Sequence, residues 1–308
     1  MTEGPRDRLV RRAGVVTGVR AFFESRAFLE VETPLLVPSP GLEPHLAAFE
    51  VPAGASKRYL STSPEYQMKR LLSDGHSRIF QIAKAFRKDE MGERHNPEFT
   101  MLEWYRAPGG VEDVMSDTEQ LVAKVTGGAV VLEGHAHDTS PPFLRMTVTR
   151  AYEAFASVAP AETLTLAETD EERFFRLLVD KVEPGILDLG RAVFLTEYPA
   201  SQASLARKKP GDPRVAERFE LYVGGLELCN GFGELTDPVE QRERLEGDRR
   251  TRALRGLPVY PVDERFLDAL GRGIPPCAGN ALGLDRLIAL ACGSRRIADV
   301  MAFPHDEL

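Results

Sequence analysis

Cysteine is scarce in this sequence, and long apolar runs are missing. The 308 residues hold three cysteines, Cys229, Cys277 and Cys292, with no CxxC pair among them. That excludes a disulfide framework and a zinc-ribbon site, and leaves reduced thiols buried as small hydrophobes. No apolar stretch approaches the roughly 18 residues of a membrane span. The opening MTEGPRDRLVRRAG is charged and has no apolar segment of the signal-peptide kind. A cytoplasmic protein with no membrane partner is expected. The closing letters HDEL match a retention tag, but such a tag is read only on secretory proteins, so the match is taken as chance.

Positive charge is not in excess either. Lysine and arginine total 39 against 47 aspartates and glutamates, a net charge of −8. Proteins that live mainly on nucleic acid usually carry a basic face, so no nucleic-acid partner is expected. There is no GxxxxGK[ST], and no GxGxxG opening a helix after a strand. A Rossmann fold is excluded, and ATP, if used, is gripped in another way. Internal repeats and low-complexity tracts are also missing.

What is present reads as a soluble α+β enzyme. Apolar residues make up 43% and charged residues 28%, enough for a sizeable core. Leu9, Val10, Ala13, Val16, Val19 and Phe22 fall on one stripe, predicting a helix over 6–27. FLEVETPLL (Phe28–Leu36) alternates like a strand and stops near Pro34. SPEYQMKRLLSDG predicts a helix capped by Ser63 with Pro64 at its first position. Strands are expected over Arg78–Arg87 and in EFTMLEWYRA, joined as an antiparallel pair by the polar loop KDEMGERHN. Residues 111–126 and the charged stretch 238–256 read as helices. Arg218–Asp237 reads as a strand pair turning at Gly224–Gly225, and GNALGLDRLIALACG as a glycine-rich strand running into a helix. Residues 127–215 carry several helical stretches and little else that is legible. The order is not an alternation of strand and helix, so the expected fold is an antiparallel or mixed sheet flanked by helices.

Three clusters could carry chemistry. Alternation along Glu98–Arg106 puts Phe99, Met101, Glu103 and Tyr105 on one face and Trp104, the only tryptophan, on the other. A carboxylate beside a phenol suits an ammonium group; a structural ion pair with a half-buried tyrosine is the plain alternative. Arg87 ends the preceding strand, where its fork could take a phosphate or carboxylate, with His95 and Asn96 on the adjoining loop. In ELCNGFGE, Glu227, Asn230 and Glu234 flank a glycine-containing bend. Neighbouring carboxylates repel, and a divalent cation such as Mg2+ resolves the conflict. In GNALGLDR, Gly279 and Gly283 permit close backbone approach, and Arg286 adds a second planar cation.

These residues resemble a known family. FRKDEMGERHNPEFTMLEWY is similar to motif 2 of the class II aminoacyl-tRNA synthetases, nearest the lysyl type. FLEVETPLL resembles motif 1, GNALGLDRL motif 3, and ELCNGFGELTD the lysyl-type segment between them. Motif 1 begins near residue 28, which leaves no room for the OB-fold anticodon domain of the lysyl enzymes, so one catalytic domain over 1–308 is expected. TSPEYQMKRLL, EMGERHNPEFTMLEWYR and GNALGLDR look like the stand-alone paralogs that attach a lysine-type amino acid to elongation factor P.

The resemblance implies ATP and Mg2+ as cofactors, lysine or (R)-β-lysine as substrate, elongation factor P as acceptor, and a homodimer through motif 1. It implies that Arg87 and Arg286 are catalytic, Arg87 on the α-phosphate and substrate carboxylate. Phe99 and Arg286 would sandwich adenine, with Lys88, His95 and Asn96 by the phosphates. Glu65, in the Ser63–Pro64–Glu65 segment, would take the substrate's backbone amine, and Glu103 and Tyr105 its side-chain ammonium. Glu227 and Glu234 would organise the metal, with Glu234 also facing the amine. Leu228 and Asn230 would line the site, and Gly283 would let backbone reach the nucleotide. Ala281 stands where lysyl-tRNA synthetases usually have glycine, which narrows the pocket; one methyl is worth only about 1 kcal/mol, so α- and β-lysine both stay open. The family's motif 2 reads Arg-x-Glu, whereas here Arg87 is followed by Lys88, Asp89 and Glu90, so either acid could contact adenine. A truncated lysyl-tRNA synthetase and a non-catalytic amino-acid sensor are the rival functions. The locally basic stretches Ala206–Arg214 and Arg242–Arg255 are expected either to meet an acidic acceptor or to be plain solvated surface.

Overall fold

Period-two alternation in four segments builds the middle of an eight-stranded sheet. In the computed structural model, which describes residues 5–54 and 56–308, its strands are β1 (Leu29–Glu30), β2 (Arg78–Phe86), β3 (Glu98–Arg106), β4 (Leu144–Thr147), β5 (Val193–Thr196), β6 (Arg218–Val223), β7 (Leu226–Gly233) and β8 (Ala278–Gly283). Their spatial order is β1-β2-β3-β8-β7-β6-β5-β4. The central pairs are antiparallel, while β1 with β2 and β4 with β5 are parallel. The mixed α+β architecture is therefore the expected one, with the parallel pairs confined to its two ends.

One face of the sheet is dry. Phe80, Leu102, Trp104, Leu221, Cys229 and Leu282 point into a core shared with helices α1 (Pro5–Glu24), α3 (Val111–Thr126) and α6 (Leu284–Ala291). Phe23 of α1 stacks on Phe80 at 4.8 Å and tilts against Trp104 at 5.3 Å. The other face is covered only at its margins. At one end α2 (Glu65–Ser73) and α5 (Glu264–Arg272) enclose Tyr66, Ile79, Tyr105 and Phe232. Beyond β6 the short helices between 148 and 188 pack on Val193, Leu195 and Tyr222. The helix Pro238–Leu254, α4, packs against α5 and adds Leu245 to the cluster with Tyr66, Tyr105 and Phe232. Between the two margins Asn230 and Ala281 are half-buried, flanked by the buried Gln81, Glu103 and Glu220.

Three expectations need correction. Phe28–Leu36 is not one strand: only Leu29–Glu30 joins the main sheet, and Leu36–Val37 enters a separate three-stranded one. Pro34 lacks the N–H a ladder needs, so the chain changes partner around it. Helix α2 starts at Glu65, one residue later than expected, with Pro64 at its boundary; Ser63 Oγ still accepts from the Glu65 N–H at 3.1 Å while its proton goes to Glu103. Residues 127–215 contain the four-residue strands β4 and β5, too short for period two to stand out against their helical surroundings. No helix among the described residues is long and apolar enough to cross a membrane.

Candidate active site

Register decides what this second face displays. Gln81 on β2 is opposite Glu103 on β3, Glu103 is opposite Ala281 on β8, Ala281 opposite Asn230 on β7, and Asn230 opposite Glu220 on β6. Directly opposed residues share a face, so these five side chains form one row across the sheet. The row behind it runs Ile79, Tyr105, Gly279, Phe232, Arg218. The expected face of Phe99, Met101, Glu103 and Tyr105 is the one observed, with Trp104 in the core.

The amino-acid end of the cleft is built from carboxyl groups. Glu103 accepts from Ser63 Oγ at 2.5 Å and from the Tyr105 hydroxyl at 3.0 Å. Lys69, one helical turn after Glu65 on α2, reaches Glu65 Oε1 at 2.6 Å and Glu234 Oε2 at 2.5 Å. Burial of Lys69 opposes its charge, but Glu234 and then Glu65 outweigh this and raise its pKa. Burial, reinforced by the charge of Glu65, pushes Glu103 up to about 8. Burial lifts Glu234 to about 7 even with Lys69 pulling the other way. Three carboxyl groups thus face one ammonium in a desolvated pocket. Such an arrangement is short of positive charge.

Gly279 makes the pocket possible. A Cβ there would sit 2.2 Å from the Tyr105 ring and 2.8 Å from Glu234 Oε1. Only glycine lets Tyr105 lie across β8 toward Glu234. The methyl of Ala281 stands in the polar row between Glu103 and Asn230.

The other end carries the guanidinium groups. Arg87 lies 5.1 Å over the Phe99 ring and 3.3 Å from Glu90. Arg286, at the start of α6, donates to Glu227 O at 2.8 Å and contacts His95 Nε2 at 2.9 Å. His95 is lowered by burial and then by Arg286, which keeps its imidazole neutral. Arg286 is therefore held against the motif-2-like loop, and the cation stacked on Phe99 is Arg87 instead. Gly283 forms the N-terminal boundary of α6, with the Arg286 stem alongside. Lys88 donates its backbone N–H to Ala47 O at 2.8 Å, and Asp89 makes no ion pair among the described residues.

The structure separates some residues grouped above. Glu227 on β7 and Glu234, the residue just past its end, lie seven positions apart along an extended chain, on the order of 20 Å at the strand rise per residue. They cannot share one ion. The carboxyl group next to Glu227 is Glu220: burial and then Glu220 push Glu227 up to about 7. Glu220 is in turn held by Arg218 at 2.6 Å, Tyr198 at 2.5 Å and Tyr222 at 2.8 Å. The Leu228 side chain is buried in the core on the far face, so only its backbone can face the cleft. Asn96 is spent on Glu98 O at 2.6 Å and on the His305 N–H at 2.9 Å. Asn230 Oδ1 accepts from Arg218 at 3.2 Å within the row.

The basic stretches are internally neutralised. Lys209 pairs with Glu197 at 2.5 Å, Lys208 with Glu240 at 3.8 Å, Arg207 with Glu217 and Arg214 with Asp212. On α4, Arg242 pairs with Glu264, Arg244 with Glu240 and Arg249 with Glu246. Lysines and arginines cluster there because carboxylates of neighbouring turns and strands interleave with them.

The sequence reading passed over Lys69, Gln81, Arg218 and Glu220. Lys69 carries no signal in the sequence beyond its i,i+4 spacing from Glu65. For Arg218 and Glu220 the available signal is their alternation with the apolar Phe219 and Leu221.

Comparison with known proteins points the same way. A family profile of class II tRNA synthetases (D, K and N) matches residues 1–307. The elongation factor P--(R)-beta-lysine ligase of Proteus mirabilis (strain HI4320) is 46% identical, over 96% of this chain and 94% of its own. The ligase of that name from Salmonella gallinarum (strain 287/91 / NCTC 13346) is 44% identical over 97% of this chain and 95% of its own. The Salmonella typhi protein gives the same identity and coverage.

Proposed function

Because this chain belongs to the class II tRNA synthetases of the D, K and N type, we propose that it activates a lysine-type amino acid with ATP and transfers it to a lysine of elongation factor P. It is an ATP-dependent ligase. Relatives of 44–46% identity over nearly the whole chain carry that activity in their names. The observation that carries the reading for this chain is the pocket itself. Glu65, Glu103 and Glu234 surround the single ammonium of Lys69. A substrate with two ammonium groups supplies the missing charge.

In the first step the substrate carboxylate attacks the α-phosphorus of ATP, and pyrophosphate leaves. Such a transfer depends on positioning and charge neutralisation more than on a protein nucleophile. Glu65 takes the backbone amine, and Glu103 with Tyr105 and Glu234 takes the side-chain ammonium. Arg87 orients the carboxylate and α-phosphate, while Phe99 and Arg286 bound the adenine. Binding of nucleotide withdraws Arg286 from His95. Glu227, half exposed beside Arg286, is the carboxyl group at this end that would hold Mg2+, which would neutralise phosphate charge when bound. In the second step the amine of the acceptor lysine displaces AMP and an amide forms. A homodimer through residues 29–37, where Leu29, Leu35 and Leu36 are exposed, belongs to the same reading.

The test is the intact mass of elongation factor P after incubation with enzyme, ATP and each lysine isomer. Addition of one lysine residue is expected. Charging of total tRNA with no mass gain on the factor would replace this reading by that of a tRNA-charging enzyme.

A further inference from the structure

On that reading, acyl transfer needs a proton acceptor, because the attacking amine arrives as an ammonium ion. The groups lining the cleft are largely committed. Glu103 is held by Ser63 and Tyr105, Glu65 and Glu234 by Lys69, Glu220 by Arg218 and two tyrosines, and His95 by Arg286. His45 differs. It is exposed at its surface, although the protein around it desolvates the charged form of the ring, and it makes no hydrogen bond or ion pair among the described residues. The charged groups that act on it are Arg87 and Glu90 on the loop after β2, Arg218 on β6, and Glu171 on the helix 171–177.

The loop that carries His45 is fastened on both sides. Ala47 O accepts from Lys88 N at 2.8 Å, which ties the loop to the residue following Arg87. Ala48 N donates to the Tyr260 hydroxyl at 2.9 Å. From beneath, Arg252 Nη1 donates to Glu43 O at 2.8 Å and Leu46 O at 2.9 Å, the carbonyls that bracket His45. Arg252 is 1% exposed and lies 4.3 Å over the Tyr260 ring, with a third carbonyl, Pro258 O, at 2.6 Å. A buried guanidinium whose hydrogen bonds all go to carbonyls is an expensive clamp. It fixes the loop of His45 against the residue that follows Arg87, the side chain that on the proposed reading orients the carboxylate to be activated. Burial, then Arg87 and Arg218, lower the His45 pKa, so at neutral pH the ring is in its basic form.

We propose that His45 is the general base of the transfer step, taking a proton from the acceptor lysine's ammonium group and so freeing the electron pair with which the nitrogen attacks the adenylate. The nitrogen bonds to the carbonyl carbon. The bond from that carbon to the phosphate oxygen breaks, and AMP leaves with the oxygen. The first proton passes from the ammonium to the imidazole before attack and then to solvent; the second, shed as the amide forms, leaves with the departing phosphate oxygen or to solvent.

The test compares wild type with His45→Gln and His45→Ala. ATP–pyrophosphate exchange reports adenylate formation, single-turnover transfer to elongation factor P reports acyl transfer, and hydroxylamine trapping reports acyl reactivity toward a nucleophile that is already neutral. Removing a general base is worth about 10²–10⁴ in rate, so the ratio of transfer to exchange should fall about 100-fold. Hydroxylamine trapping should keep pace with exchange, and added imidazole should recover part of the His45→Ala rate. Wild-type transfer should rise with pH through an inflection below the usual histidine range, and His45→Gln should lack it. If transfer and trapping fall together, His45 only shapes the loop and the proposal is wrong. An unchanged ratio also overturns it. Wild type without any exchange would instead sink the adenylate reading, and this step with it.

Discussion

Lys69 Nζ lies 2.5 Å from Glu234 Oε2, an ion pair between a helix and a strand in which both side chains are at most 2% exposed. The same ammonium holds Glu65. A single buried cation thus sets the spacing of two of the three carboxyl groups in the pocket.

Lys69→Met should cost about 3–5 kcal/mol of stability, the usual penalty for stripping the partner from a buried charge. The loss should be larger at pH 8 than at pH 5, because in acid the orphaned carboxyl groups protonate instead. Urea denaturation at the two pH values measures both statements.

Binding of the amino acid should release protons. Empty, Glu103 titrates near 8, held up by burial and by Glu65. A bound ammonium favours its ionised form. Affinity should therefore rise with pH toward 8, by at most about tenfold per unit for one proton. The sign for stability is opposite. The pKa of Glu103 in the empty fold lies above its ordinary 4.5, so its contribution to stability fades as pH climbs from there to about 8. Calorimetry in buffers of different ionisation enthalpy counts the protons, and Glu103→Gln should remove that share.

Gly279→Ala should damage the amino-acid pocket and spare the nucleotide end. The added carbon meets the Tyr105 ring and Glu234, and both must move. At least a tenfold rise in KM for the amino acid is expected, by the logic that small displacements of positioning groups cost up to about 100-fold. KM for ATP should change little. Pyrophosphate exchange kinetics separate the two.

Ala281→Gly removes the methyl between Glu103 and Asn230. One methylene is worth about 1–3 kcal/mol of discrimination in a pocket. The ratio of kcat/KM for (R)-β-lysine over α-lysine should shift by roughly tenfold, measured by exchange with each isomer.

The sequence was most informative where one face of an element is buried and the other is working. Alternation alone put Glu103 and Tyr105 together and sent Trp104 to the core, because a two-residue period leaves no other choice once one face is dry. It was least informative where position depends on distant chain. Glu234 looked like a metal partner for Glu227 because the two are close in sequence and both acidic; an extended strand carries them to opposite ends of the cleft. Glu220, seven residues before Glu227, comes back beside it through the hairpin. Lys69 needed the packing of α2 on the sheet to become a buried cation. His45 sits in a loop with no periodicity, and the arginine that holds it lies 207 positions along the chain, in a helix that reads as solvated.

The polar row has a consequence for how such a pocket can change. Gln81, Glu103, Ala281, Asn230 and Glu220 come from five different strands and meet only because each ladder is in one alignment. Inserting or deleting a single residue within any of these strands turns its contribution inside out and delivers a core side chain to the substrate. Evolution of this cleft is therefore confined to exchanges in place, and new length can be accommodated only in the connections at the strand ends.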